Sequence, residues 1–258
     1  MLTVQAVPAF KDNYIWLLSA TDTPYVAIVD PGDAKPVYAA LERLKLTPIA
    51  ILITHHHWDH TAGITELCQR YALRVYGPAH EAIASLTDPL IEGNEVALPQ
   101  LGLTLRVFDV PGHTHGAIAY YGAGALFCGD TLFTAGCGRL FEGTPAQMHT
   151  SLSKLAALPG DTLVYCGHEY TLDNLGFARI VEPANSDIQT RLGQTQALRK
   201  ADKQTVPATL ATELRTNPFL RCAVPEVIAA AEHFSRRRLL SSAEVFAAVR
   251  HWKDTAYD

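Results

Sequence analysis

The chain has 258 residues, 48% hydrophobic and 18% charged, with a formal net charge of −5. That length and apolar content suit one large domain, or a medium domain with a smaller one, and exclude a disordered chain. The acidic balance argues against a chain-wide basic footprint for nucleic acid, and no apolar run approaches the ~18–20 residues of a membrane span.

The N-terminal residues Met1 to Pro8 show no basic segment followed by an apolar one, so no signal peptide is expected. A cytoplasmic monomer, bound neither to membrane nor to nucleic acid, is the expectation. Val26 to Asp30 reads as a strand closed by Pro31-Gly32, and Lys35 to Leu46 carries apolar residues at helical spacing. Ile49 to Ile53 is a β-branched run of the kind found in buried strands. Gly63 to Tyr71 then reads as a helix and Leu73 to Tyr76 as a strand.

Further strands are expected over Leu101 to Val110, Ala117 to Tyr121, Ala125 to Phe127 and Thr162 to Tyr165. Between the last two, Thr144-Pro145-Ala146-Gln147 has the composition of a capping box with proline at the first helical position. Pro159-Gly160 stops that helix. Beyond Leu172 the strand patterns vanish and helical ones take over, at Ser186 to Lys200, Pro225 to Arg237 and Ala243 to Lys253. A domain change is therefore expected near residues 172–180, giving domains 1–172 and 173–258. The five cysteines, Cys68, Cys128, Cys137, Cys166 and Cys222, include no C-x-x-C pair and read as small buried hydrophobes.

Four apolar runs end in a residue able to bind a transition metal: His55, His113, Asp130 and His168. Glycine precedes three of them, at Gly112, Gly129 and Gly167, where the backbone must leave a strand sharply. His55 and His57, two apart in an extended segment, point the same way. A turn after Trp58 would bring Asp59 and His60 to a second point nearby. Seven donors suit two metals. One would take His55, His57 and His113, the other Asp59, His60 and His168, with Asp130 bridging. Three protein ligands and a bridge leave each ion room for water, which marks a catalytic site. Two divalent ions could clamp one hydroxide and polarise a substrate oxygen, with Asp59 and Asp130 as the catalytic carboxylates, Asp59 ligating and orienting the nucleophile and Asp130 bridging. Nitrogen and oxygen donors suit zinc, iron or manganese, and zinc is the expectation. His56 alternates away from the site. His115 is not assigned as a ligand, and His80, His149, His233 and His251 read as structural or solvated.

The run Thr54-His55-His56-His57-Trp58-Asp59-His60, followed in order by His113, Asp130 and His168, resembles the metallo-β-lactamase superfamily signature T-H-x-H-x-D-H. The resemblance implies an α/β fold: an αββα sandwich with metals at one edge of its sheets, here followed by a small helical domain. The segments 136–144, Gly167-His168-Glu169-Tyr170-Thr171, Asn217-Pro218-Phe219-Leu220-Arg221 and 248–253 are similar to one branch, glyoxalase II (hydroxyacylglutathione hydrolase). That resemblance implies hydrolysis of S-D-lactoylglutathione to D-lactate and glutathione, the second step of methylglyoxal detoxification. It implies a substrate site made by Arg139, Phe141, His168, Tyr170, Arg250 and Lys253, whose cations suit the two carboxylates of glutathione. Some members carry tyrosine where this chain has Phe141, which can only pack. Two rivals are a mononuclear iron persulfide dioxygenase of the same fold and a non-catalytic metal-stabilised binding module. The complete seven-residue donor set argues against both.

Overall fold

A computed structural model describes residues 2–257 of the chain. Tertiary contacts divide it into two compact units. The first comprises Met1–Val110 with Thr114–Gly129, the second Pro111–His113 with Asp130–Asp258.

In the first unit the elements are β1 (Leu2–Ala9), β2 (Asn13–Ala20), β3 (Tyr25–Val29), α1 (Ala34–Leu44), β4 (Thr47–Leu52), α2 (Trp58–Thr61), α3 (Ile64–Arg70), β5 (Arg74–Pro78), β6 (Asp88–Leu90), β7 (Glu95–Leu98), β8 (Leu103–Asp109), β9 (Ile118–Gly122) and β10 (Ala125–Gly129). Strands β1 to β6 form one sheet in chain order, antiparallel from β1 to β3 and parallel from β3 to β6. Parallel neighbours need crossovers, and α1 and α3 supply two of them. The Asp33 carboxylate caps α1, accepting the Lys35 amide at 2.9 Å. Val37 and Leu41 of α1 and Ile64 and Leu67 of α3 then bury their apolar stripe against Ile15, Ile28, Ile51 and Val75 of the sheet.

The antiparallel strands β7, β8, β9 and β10 pair in chain order. The Tyr120 hydroxyl on β9 donates to the carbonyls of Ile53 and Tyr76 at 2.8 and 3.3 Å, so this sheet meets the other through a fully buried phenol. Burial pushes that phenol well above its ordinary pKa. The sequence patterns give no element before Val26, yet β1 and β2 form a complete hairpin. Asn13 to Leu18 is buried on both faces, so it shows no alternation, while β1 is mostly half-buried or exposed and buries only Val7 and Ala9.

The second unit contains β11 (Leu132–Phe133), β12 (Gly136–Cys137), α4 (Pro145–Ala156), β13 (Leu163–Cys166), α5 (Thr171–Val181), α6 (Ser186–Lys200), β14 (Ala208–Thr209), α7 (Leu210–Thr216), α8 (Pro225–Ser235) and α9 (Ser242–Ala256). The capping box at α4 is present, with Thr144 Oγ1 accepting the Gln147 amide and the Gln147 side chain returning to the Thr144 amide. Ser241 caps α9 through the Glu244 amide at 3.2 Å. Phe177 stacks on Phe219, and Trp252 and Phe246 meet that pair edge-on, a chain of ring contacts that joins α5, the Pro218–Leu220 turn and α9. The expectation that strands vanish after Leu172 needs one correction. Ala208–Thr209 pairs with Leu163 and Val164, a strand too short to leave a periodic signal. The boundary range 172–180 lies inside α5, an uninterrupted helix.

Candidate metal centre

Each unit gathers its own part of the expected donor set. In the first unit, β4 ends at Leu52 and the chain turns out through Thr54 and His55. His55 and His60 are buried, with ring centroids 4.2 Å apart, and the His55 and His57 centroids are 4.8 Å apart. The expected turn after Trp58 is one turn of helix, α2, which brings His60 Nε2 to 3.6 Å from Asp59 Oδ2. Asn13 Nδ2 donates to the same carboxylate oxygen at 2.9 Å and fixes its orientation.

Asp30 organises this half and was not singled out from the sequence. It is buried at the end of β3, with φ 50. One carboxylate oxygen accepts the Thr54 amide at 2.8 Å; the other accepts the Thr54 hydroxyl at 2.7 Å and faces His60 Nδ1 at 3.0 Å. The donor atoms of Asp30, His55 and His60 all lie within 4.8 Å of one another. With both its oxygens so engaged, Asp30 acts on the histidines from behind. Thr54 has donated its proton to Asp30, so its oxygen accepts from His55 Nδ1 at 3.0 Å. Both imidazoles thereby carry their proton on Nδ1 and present Nε2 as a lone pair, the arrangement that metal-binding histidines take from outer partners. The only sequence signal for Asp30 is an acidic residue at a strand end before Pro-Gly.

His56 is turned elsewhere. Its Nδ1 lies 3.1 Å from Glu81 Oε2, and Glu81 also accepts the Gly116 amide at 3.1 Å and the Thr114 hydroxyl. Gly129, just before Asp130, has φ 49, and a Cβ there would lie 2.2 Å from Thr54 Oγ1. Only glycine admits both that conformation and that approach.

In the second unit, His113, Asp130 and His168 are all buried. Asp130 Oδ2 lies 3.5 Å from His113 Nε2 and 3.2 Å from His168 Nε2. His113 Nδ1 donates to the Arg139 carbonyl at 2.8 Å, so this ring too offers Nε2. His168 stacks on Tyr170 at 4.8 Å with the rings nearly parallel, and Phe133 packs edge-on to both. Phe141, 65% exposed, packs edge-on to His113 at 5.3 Å.

The other expected substrate residues divide by exposure. The Arg139 side chain is half-exposed and reaches Asp254 at 3.9 Å, and Tyr170 is 37% exposed. Arg250 and Lys253 are buried on α9. Arg250 donates to the Cys137 carbonyl at 3.0 Å and to Asp254 at 2.8 and 3.2 Å, and it lies over the Phe219 ring. Lys253 donates to Asn174 Oδ1 and sits 3.3 Å from Asp173.

Comparison with known proteins gives these clusters a family. Residues 13–168 match the metallo-beta-lactamase superfamily, and residues 169–256 match the family described as hydroxyacylglutathione hydrolase C-terminus. A hydroxyacylglutathione hydrolase of Alkalilimnicola ehrlichii is 55% identical over 98% of this chain and 99% of its own length. That of Nitrosomonas eutropha is 51% identical over the same shares. The chain belongs to the hydroxyacylglutathione hydrolase family. Among solved structures, ETHE1 from Myxococcus xanthus covers all of both chains with a TM-score of 0.66 at 23% identity, a likeness of fold. A protein solved in a di-iron-bound form covers 84% of this chain and 100% of its own at 26% identity, TM-score 0.59.

Members of the hydroxyacylglutathione hydrolase family are metal-dependent hydrolases of the metallo-β-lactamase fold, here with a helical C-terminal portion. The buried imidazoles of His55, His60 and His113, their Nδ1 protons directed away, and the carboxylates of Asp59 and Asp130 fit a divalent metal. The persulfide dioxygenase alternative is not favoured by these full-length identities. Among the described residues, no helix is long and apolar enough to cross a membrane.

Proposed function

We propose that this hydroxyacylglutathione hydrolase cleaves S-D-lactoylglutathione and related S-2-hydroxyacylglutathiones to the 2-hydroxy acid and glutathione, using two divalent metals. The observation that carries the reading is the near-complete match to curated hydroxyacylglutathione hydrolases at 51–55% identity, in a chain that retains the whole expected donor set. His55, His57 and His113 would hold one ion and Asp59, His60 and His168 the other, with Asp130 shared between the two. The di-iron form of a protein of the same fold supports the count, and zinc is the metal we assign first. We place the catalytic domain at residues 1–172 and the helical substrate domain at 173–258, in a monomeric cytoplasmic enzyme without nucleic-acid partners.

In hydrolysis the C–S bond of the thioester breaks, water delivers OH to the acyl carbon, and the departing sulfur takes up the proton. When bound, the two metals supply a water of lowered pKa and polarise the thioester carbonyl. The protein's part is orientation. Asn13 fixes one oxygen of Asp59, and Asp59 in turn aligns the attacking water. The Arg139 carbonyl keeps the His113 ring in place, and Asp130 Oδ2 stands 3.5 and 3.2 Å from the Nε2 atoms of His113 and His168, where the three would hold an ion between them. Arg139 and Tyr170 present a guanidinium and a phenol at the exposed side of this half for the peptide part of the substrate, with Arg250 and Lys253 behind them on α9. His168, stacked on Tyr170, joins metal site to substrate site. Phe141 contributes a ring and no hydroxyl.

Asp130→Ala should lose metal and thioester cleavage together, read by elemental analysis and turnover on one preparation. Full metal content with full turnover in that variant would remove Asp130 from the centre.

A further inference from the structure

The hairpin β11–β12 spans the interval between Asp130 and Arg139. Its two-residue turn, Thr134-Ala135, holds Ala135 at φ 58. So short a ladder leaves most of its backbone groups to find partners elsewhere. Side chains from the helical part of the same unit supply them. The Thr134 carbonyl accepts Asn174 Nδ2 at 3.0 Å, and the Ala135 amide donates to Glu213 Oε2 at 2.7 Å. The Phe133 and Gly136 carbonyls accept Asn217 Nδ2 at 3.2 and 2.9 Å. The Cys137 carbonyl accepts Arg250 Nη1 at 3.0 Å. Every residue from Phe133 to Cys137 is thus bonded through its backbone to a side chain far along the chain.

Glu213 is the centre of this cradle. Its carboxylate is fully buried, accepts Asn217 Nδ2 at 3.1 Å besides the Ala135 amide, and pairs with the Arg191 guanidinium. Arg191 also donates to the Thr216 hydroxyl. A buried carboxylate is costly unless its partners are well placed, so the hairpin's position and the Glu213 network fix one another. Both ends and one face of the hairpin reach the site. Asp130 sits two residues before it and Arg139, whose carbonyl holds His113 Nδ1, two residues after it. The Phe133 ring lies against His168 and Tyr170. A shift of the hairpin moves a carboxylate, an imidazole's acceptor and an aromatic wall together.

We propose that Glu213, with Asn217, is a positioning residue for the metal half-site of the second unit, acting through the hairpin. This rests on reading His113, Asp130 and His168 as metal ligands. The ion pair of Arg221 with Glu182, at 2.8 and 2.9 Å, is a control: it is largely buried in the same unit and bonds no hairpin group.

The test compares Glu213→Gln, Asn217→Ser and Glu182→Gln with the full-length wild type. Serine at 217 can still cap the Phe219 amide, which Asn217 Oδ1 accepts at 3.1 Å, so that variant spares the local turn. Zinc affinity is read by chelator competition, the visible spectrum with cobalt(II) substituted, and thermal midpoint on the same samples. Glu213→Gln and Asn217→Ser should weaken metal binding about 10- to 100-fold, the usual cost of disturbing an outer partner, and change the cobalt spectrum. Glu182→Gln should lower the thermal midpoint and leave both metal readouts at wild-type values. Wild-type affinity and spectrum in folded Glu213→Gln or Asn217→Ser would overturn the proposal, and Asn217→Ser decides alone if Glu213→Gln does not fold. A wild type that binds metal but leaves the thioester intact would fail the proposed activity, while the affinity comparison still decides the hairpin's role.

Discussion

At the scale of single residues, the site depends on which ring nitrogen each histidine exposes. Asp30 settles this for His60 directly and for His55 through Thr54, by four hydrogen bonds of 2.7 to 3.0 Å. Asp30→Asn keeps the shape and removes the charge, so Nδ1 of His60 loses its carboxylate acceptor. Metal affinity should fall by about 10- to 100-fold, measured by chelator competition, with the fold retained. Unchanged affinity would mean that Asp30 serves the strand end alone. The ligand candidates were legible because histidines and an aspartate crowded between His55 and His60, with further donors at strand ends, rarely occur together except around a metal. Asp30 was not, because its role exists only once β3 and β4 lie side by side in register. Sequence spacing of 24 residues carries no hint of that contact.

At the scale of elements, α9 shows how one helix can serve both substrate and structure. The sequence resemblance marks Arg250 and Lys253 as substrate cations, and the structure buries both of them among protein partners. Arg139, by contrast, is half-exposed. Arg139→Ala should therefore raise KM for a glutathione thioester several-fold with a near-wild-type thermal midpoint, because a lost anchor weakens ground and transition states alike. Arg250→Ala should raise KM and lower the thermal midpoint together, since it also strips the Cys137 carbonyl and leaves Asp254 without its closest cation. A change in KM with no thermal effect would make Arg250 a substrate anchor only. The helices themselves were readable from local patterns: Thr144 with Gln147 forms a full capping box, while at α9 Ser241 caps the helix and the Glu244 side chain turns to Arg237 instead. The β1–β2 hairpin and β14 were not. One strand is apolar on both faces and another is two residues long, so neither carries a period.

At the scale of the whole molecule, burial raises the pKa of the buried thiols. Burial pushes the Cys166 and Cys222 thiols from an ordinary 9.0 up to about 12. Below pH 9 both folded and unfolded chains keep these protons. Between about 9 and 12 only the unfolded chain releases them, so stability falls as pH rises through that window. Cys222→Ala should flatten the fall in thermal midpoint between pH 8 and pH 10.5; an unchanged slope would assign it to other groups. The fold class was legible because four strand ends deliver donors in the order of one superfamily signature. The division of contacts into units that split the chain at Val110 and again at Gly129 was not, since composition changes much later, near the helical tail. The activity proposed for this chain is cleavage of S-D-lactoylglutathione with two bound divalent metals. Its most direct test is turnover of that thioester alongside elemental analysis of the same purified sample. Glutathione and D-lactate should be released, with two metals per chain and loss of turnover on chelation. Two bound metals with no cleavage of the thioester would contradict it.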